Sequence, residues 1–160
     1  MRNYCRLLFV VLSAVALQTE GAYAQDDDDD DDDRDDRDGR DRTCAASLDD
    51  DRVNGTLNIV GRCQLTDMDV RGDVVVFAGG SLLARSSRIR GDVDASRADF
   101  VDLDDVRIDG NVDLRELVGD SSSIESSDIR GNVVLTGNRS RFEILDNELS
   151  RDLRAVGNTG

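Results

Sequence analysis

One repeat recurs through most of the chain after Thr43, and it constrains the fold more than any other feature. Each copy has an apolar residue, a variable residue, a glycine, an Asp or Asn and a second apolar residue, as in Ile89-Arg90-Gly91-Asp92-Val93. Successive glycine positions are 17, 19, 19, 21 and 20 residues apart, with an arginine in the last one. The six copies begin at Val53, Val70, Ile89, Ile108, Ile129 and Leu149.

Four positions of the repeat are apolar in every copy, and they lie at −5, 0, +4 and +6 relative to its first residue. Positions +4 and +6 enclose a mixed position, and this alternation predicts a strand with one buried face. The 24 residues are Leu48, Leu65, Ala84, Leu103, Ile124 and Ile144 at −5; Val53, Val70, Ile89, Ile108, Ile129 and Leu149 at 0; Leu57, Val74, Val93, Val112, Val133 and Leu153 at +4; and Ile59, Val76, Ala95, Leu114, Leu135 and Ala155 at +6.

Two kinds of corner residue separate the predicted strands. The glycine at +2 predicts a corner with positive φ. Asp67, Asp105 and Asp146, with serines in sister copies, predict a second corner three residues before each copy begins. The sequence therefore predicts an all-β, single-domain parallel β-helix over residues 43–160, with about six coils stacked at about 4.8 Å.

The repeat over residues 46–156 resembles that of right-handed parallel β-helices, and most of all the compact solenoids of bactofilins, which are bacterial polymer-forming scaffold proteins. This resemblance implies a scaffold that stacks on copies of itself. Bactofilins are typically cytoplasmic, whereas this chain begins with an export signal. β-Helix enzymes of the pectate-lyase type share the architecture, but they have longer coils and protruding loops.

The first 24 residues have the features of a signal peptide. Arg2 and Arg6 precede an apolar run of 11 residues from Leu7 to Leu17, and Ala22-Tyr23-Ala24 gives a small-x-small cleavage pattern. Eleven apolar residues are too few to span a bilayer as a helix. We therefore expect an exported protein, periplasmic or extracellular, without membrane insertion after cleavage.

Residues 25–42 contain twelve Asp and four Arg, a composition that predicts a disordered acidic tail. The formal net charge of the chain is −15, which argues against binding to nucleic acid or anionic lipid. Clustered carboxylates could hold Ca²⁺ or another hard cation. The candidate metal ligands are Asp26, Asp27, Asp28, Asp29, Asp30, Asp31, Asp32 and Asp33.

A second set of oxygen ligands follows the glycines, at Asp73, Asp92, Asn111, Asn132 and Asp152. These side chains could bind Ca²⁺ or cap backbone amides at the corner, and the repeat favours capping. The two Arg-Gly-Asp tripeptides that end at Asp73 and Asp92 match an integrin-binding motif. Sister copies place other residues in the same slots, which favours a corner over an adhesion motif.

Removal of the signal peptide leaves two cysteines, Cys44 and Cys63. An even count in an exported chain predicts a disulfide, here linking the start of the solenoid to its second coil. Neither a cofactor nor a catalytic residue is predicted, because the chain has no histidine and its repeats have no long insertions that would form a cleft.

The leading hypothesis is a non-enzymatic structural or interaction module of the bacterial envelope. Its partners would be copies of itself, stacked through the solenoid ends, or another envelope component. Two alternatives remain open: divalent-cation binding through the aspartate-rich tail, and a degenerate carbohydrate-binding or carbohydrate-active β-helix.

Overall fold

The structure is a computed structural model that describes residues 40–160. The predicted signal peptide and the candidate ligands Asp26 to Asp33 lie outside these residues. The described chain is all-β, and its strands are β1 (Arg42–Cys44), β2 (Ser47–Asp49), β3 (Arg52–Val53), β4 (Leu57–Ile59), β5 (Arg62–Thr66), β6 (Asp69–Val70), β7 (Val74–Val76), β8 (Ser81–Arg85), β9 (Arg88–Ile89), β10 (Val93–Ser96), β11 (Phe100–Asp104), β12 (Arg107–Ile108), β13 (Val112–Arg115), β14 (Ser121–Glu125), β15 (Asp128–Ile129), β16 (Val133–Thr136), β17 (Arg141–Leu145), β18 (Glu148–Leu149) and β19 (Leu153–Val156). In this part of the protein no helix is long and apolar enough to cross a membrane.

Every third strand pairs in parallel with the next, so the chain winds through three sheets. Sheet 1 has seven strands in the order β1-β4-β7-β10-β13-β16-β19. Sheet 2 has the order β17-β14-β11-β8-β5-β2, and sheet 3 has the order β18-β15-β12-β9-β6-β3. Each coil contributes one strand to each sheet. The predicted parallel β-solenoid of about six coils is confirmed.

The register places equivalent residues of the repeat on top of one another. Leu57 pairs with Val74, and further pairing extends this column to Leu153. Nineteen of the 24 apolar residues identified from the repeat are buried. The other five are Leu48, Ile144, Leu149, Leu153 and Ala155. All five belong to the terminal coils, so the core is lost at the ends of the rod and not within it.

The glycines at +2 are not needed for positive φ, and that prediction is wrong. The described glycines with positive φ are Gly79, Gly137 and Gly157, which lie elsewhere in the repeat. A Cβ placed on Gly110 would instead lie 2.4 Å from the backbone oxygen of Gly91 in the preceding coil. The repeat therefore keeps glycine because adjacent coils approach too closely at this corner for a side chain.

The second predicted corner is confirmed by its backbone. Asp67, Asp105 and Asp146 have φ of 53°, 55° and 53°, and Ser86 and Ser126 have φ of 46° and 50°. Asp tolerates this left-handed conformation better than most residues, because its short polar side chain can bond locally. The same residue types that identified the corner thus explain its geometry.

The predicted disulfide is present between Cys44 and Cys63, with their Cα atoms 5.8 Å apart. Cys44 ends β1 and pairs in register with Ile59 of β4, while Cys63 lies in β5. The bond therefore fixes the first strand of the solenoid to the coil beside it. A disulfide of this kind is typical of proteins in oxidising compartments.

Candidate functional site

The Asp and Asn side chains after the glycines form a hydrogen-bonded ladder along one corner. Asp73 Oδ1 accepts from the Asp92 amide at 2.8 Å, and Asp92 Oδ1 accepts from the Asn111 amide at 2.6 Å. Asn111 Oδ1 accepts from the Asn132 amide at 2.9 Å. Asn132 Oδ1 accepts from the Asp152 amide at the longer distance of 3.3 Å. These oxygens cap backbone amides, as the repeat favoured.

The ladder also accounts for the two Arg-Gly-Asp tripeptides. Asp73 and Asp92, their last residues, are both rungs of the ladder, and the glycine of each sits against the preceding coil. For metal ligation, residues 40–160 bring together no group of three or more acidic, histidine or cysteine side chains that could hold an ion. The structure thus assigns the ladder a role in joining coils.

Sheet 3 carries a lattice of ion pairs on its outer surface. Asp69 accepts from Arg52 Nε at 3.2 Å and from Arg90 Nη2 at 3.1 Å, and Arg71 Nε lies 4.0 Å away. Burial alone would raise the pKa of Asp69, but its bonds to Arg90 and Arg52 outweigh burial and lower it. One carboxylate thus links arginines from three coils.

The same arrangement recurs two coils further along. Asp109 accepts from Arg88 Nη2 at 2.8 Å and pairs with Arg130 Nη1 at 2.9 Å, and Arg107 Nε lies 3.9 Å away. The hydrogen bond from Arg88 is the main reason that the pKa of Asp109 is lowered. Exposed pairs of this kind contribute little individually, but in a network they fix the register between coils.

A shallow cleft of about 390 Å³ lies on the outer surface of sheet 1. Phe77 lines one side and is 48% exposed, and Val75 lies beside it. Asp113, in the same cleft, accepts from Arg115 Nε at 2.7 Å. Burial and then the charge of Asp113 raise the pKa of Asp94. An aromatic ring beside carboxylates and a guanidinium could contact a polar ligand with apolar faces, such as a sugar.

The N-terminal end of the solenoid is closed by an ion pair. Arg42 occupies the column that continues with Leu57, and Asp51 occupies the column that continues with the buried Met68. Arg42 Nη1 donates to Asp51 Oδ2, and this hydrogen bond is the main reason that the pKa of Asp51 is lowered. Two interior columns therefore end in bonded polar groups.

The C-terminal end is different, because its interior columns end in exposed apolar side chains. Leu145 is 51% exposed, Leu153 is 45% and Val156 is 46%. Phe142 and Leu149 are half-buried against the core. β17, β18 and β19 are the last strands of their sheets, so each presents one edge of its backbone to solvent. Such an edge is a template for pairing with another chain.

A third corner of each coil went unrecognised in the sequence. Arg97 and Glu116 have φ of 55° and 53° there, although neither residue type signals a turn. In the fifth coil the next position holds Asn138, which is fully buried. Its Oδ1 accepts from the Leu117 amide at 2.8 Å and its Nδ2 donates to the Leu114 carbonyl at 3.0 Å. The recurrence of Asn at residue 158 was the available signal.

No protein-family model matches this chain, and no curated protein or solved structure matches it either. The fold nevertheless establishes a class: the chain is a parallel β-solenoid protein of about six coils with a period of about 19 residues. The two ends of that solenoid, the cleft on sheet 1 and the charged lattice on sheet 3 are the surfaces from which a function can be argued.

Proposed function

We propose that this protein is a non-enzymatic, exported structural module of the bacterial envelope, and that it associates through the C-terminal end of its solenoid. The observation that carries the proposal is the exposure of Leu145, Leu153 and Val156 beside three unpaired strand edges. The resemblance to bactofilins supports a scaffold role. The export signal and the disulfide support a periplasmic or extracellular location.

The physical argument concerns what water contacts at this end. Each exposed Leu or Val side chain would gain up to about 2 kcal/mol by complete burial. The backbone groups along the outer edges of β17, β18 and β19 would exchange water for strand partners, which directs association toward another β-edge. A second copy of this chain offers both an apolar surface and such an edge.

Sedimentation of the purified protein and its Leu153→Lys variant tests the proposal. The wild type should associate as its concentration rises, and the variant should remain monomeric, because a lysine at this end would have to be desolvated without a partner. Val60→Lys is the matched control, since Val60 is 55% exposed but lies on the side of the first coil. The control should associate like the wild type.

Two results would contradict the proposal. A wild type that stays monomeric at all concentrations would show that the open end is compatible with solvent. Equal loss of association in the Leu153 and Val60 variants would point to general charge repulsion and not to the C-terminal end.

A second candidate function, binding of a neutral oligosaccharide, is favoured by the cleft on sheet 1. Phe77 could stack on the apolar face of a sugar ring, while Asp94, Asp113 and Arg115 could bind its hydroxyl groups. Titration calorimetry with cellohexaose should then show binding by the wild type and at least tenfold weaker binding by Phe77→Ala. Absence of heat with the wild type would exclude this ligand.

A further inference from the structure

We infer that two copies of this protein join C-terminal end to C-terminal end around a twofold axis, and that assembly stops at the pair. This inference rests on the proposed function and adds the geometry and the limit of the assembly. In a head-to-tail stack, the apolar C-terminal end of one copy would meet the N-terminal end of the next. The two ends differ in ways that disfavour that contact.

The N-terminal end presents charged groups where the C-terminal end presents carbon. Arg42 and Asp51 end two interior columns and are bonded to each other. The side chain of Arg42 is 28% exposed and that of Asp51 is 45% exposed, so both retain water. Covering them with Leu153 and its neighbours would remove that water without supplying new hydrogen bonds, which is costly.

The charge distribution along the chain favours the same choice. Residues 141–156, which form the last coil, contain three arginines and four carboxylates, so the C-terminal end is nearly neutral. Residues 25–42, which lead into the N-terminal end, contain twelve aspartates and four arginines. Bringing two C-terminal ends together avoids this acidic segment, whereas any contact at an N-terminal end has to approach it.

The strands at the C-terminal end suit a twofold contact. All strands of one sheet run parallel within a copy. A twofold axis perpendicular to the rod reverses the strand direction of the second copy, so the outermost strands would meet antiparallel. Antiparallel pairing is slightly more stable per residue than parallel pairing. A twofold contact is also self-complementary and closed, so both C-terminal ends are used and no further copy can add there.

Opposite charges at one position test this geometry. In a twofold pair, Leu153 lies near its own counterpart, so Leu153→Lys alone and Leu153→Glu alone each bring like charges together, and each variant should be monomeric. An equimolar mixture should recover the mass of two copies, because lysine then faces glutamate. Light scattering after size-exclusion chromatography measures these masses, and the wild type should plateau at two copies up to the highest concentration reached.

The outcomes separate this inference from the proposed function. A wild-type mass that grows beyond two copies, with no recovery in the mixture, would establish head-to-tail stacking and overturn the twofold pair while preserving association through the C-terminal end. A monomeric wild type would overturn both. Melting temperatures of the two Leu153 variants within a few degrees of the wild type show that their monomeric state is not a result of unfolding, and Val60→Lys again serves as the folded, associating control.

Discussion

The first and last coils are built from the same repeat but finish the solenoid in opposite ways. In the first coil a disulfide, an ion pair and a buried column residue close the structure. In the last coil the corresponding columns end in exposed leucine, valine and alanine. A stacked repeat buries each coil between two neighbours, so a terminal coil needs a cap or a partner. The difference indicates that this chain has a cap at one end and leaves the other for a partner.

One column shows the contrast within a single residue type. Leu57 and Leu153 occupy the same position of the repeat, at opposite ends of sheet 1. Leu57 is fully buried because β1 lies over it, whereas Leu153 is 45% exposed. Sequence and secondary structure are equivalent at the two positions, so the difference comes from the coil that covers one of them.

The corner ladder weakens toward the same end. Its bonds are 2.8, 2.6 and 2.9 Å in the middle coils and 3.3 Å at Asp152. Arg151 takes the glycine slot beside that last rung. At the equivalent position of the preceding coil, a Cβ on Gly131 would lie 2.2 Å from the Gly110 oxygen. A side chain at this corner therefore requires the last coil to sit further out.

The largest expected effect comes from truncating the shared column. Leu57→Ala should lower the free energy of unfolding by about 3 to 4 kcal/mol, because it leaves a cavity among buried side chains. Leu153→Ala should lower it by less than about 1.5 kcal/mol in the monomer, because water already reaches this side chain. Urea unfolding, monitored by circular dichroism below the concentration of association, measures both. Equal losses would show that the last coil is as well packed as the first.

The disulfide gives the next effect, and it acts at the N-terminal end alone. Replacing both cysteines with serine should cost about 3 kcal/mol, the loop-closure contribution expected for residues separated by 19 positions. Association through the C-terminal end should persist below the new unfolding transition. Thermal unfolding and light scattering of the same sample test the two parts together. Loss of association in a protein that remains folded would show that the ends are coupled.

The sequence predicts the parts of this fold that depend on residue type repeated at fixed spacing. The apolar columns, the corner at Asp67 and its equivalents and the pairing of Cys44 with Cys63 are of this kind. The role of glycine was misjudged, because the crowding at Gly110 comes from a neighbouring coil and not from its own φ. The ion pair at the N-terminal end was missed for the same reason, since Arg42 and Asp51 meet only when the coil closes.

That ion pair gives the smallest effect, and its pH dependence has a definite sign. The pKa of Asp51 is lowered in the folded protein, mainly by the hydrogen bond from Arg42. Its contribution is therefore present above the ordinary pKa of an aspartate and is lost as the pH falls through the lower, folded value.

Asp51→Asn should cost less than about 1 kcal/mol at pH 7, because both side chains contact solvent, and the cost should vanish at acidic pH. Chemical unfolding of the wild type, Asp51→Asn, Arg42→Gln and the double variant at both pH values measures the coupling between the two residues. If the double variant loses the sum of the two single losses, the pair contributes nothing as a pair. The polar end would then be closed by the disulfide and the overlying strand without help from charge.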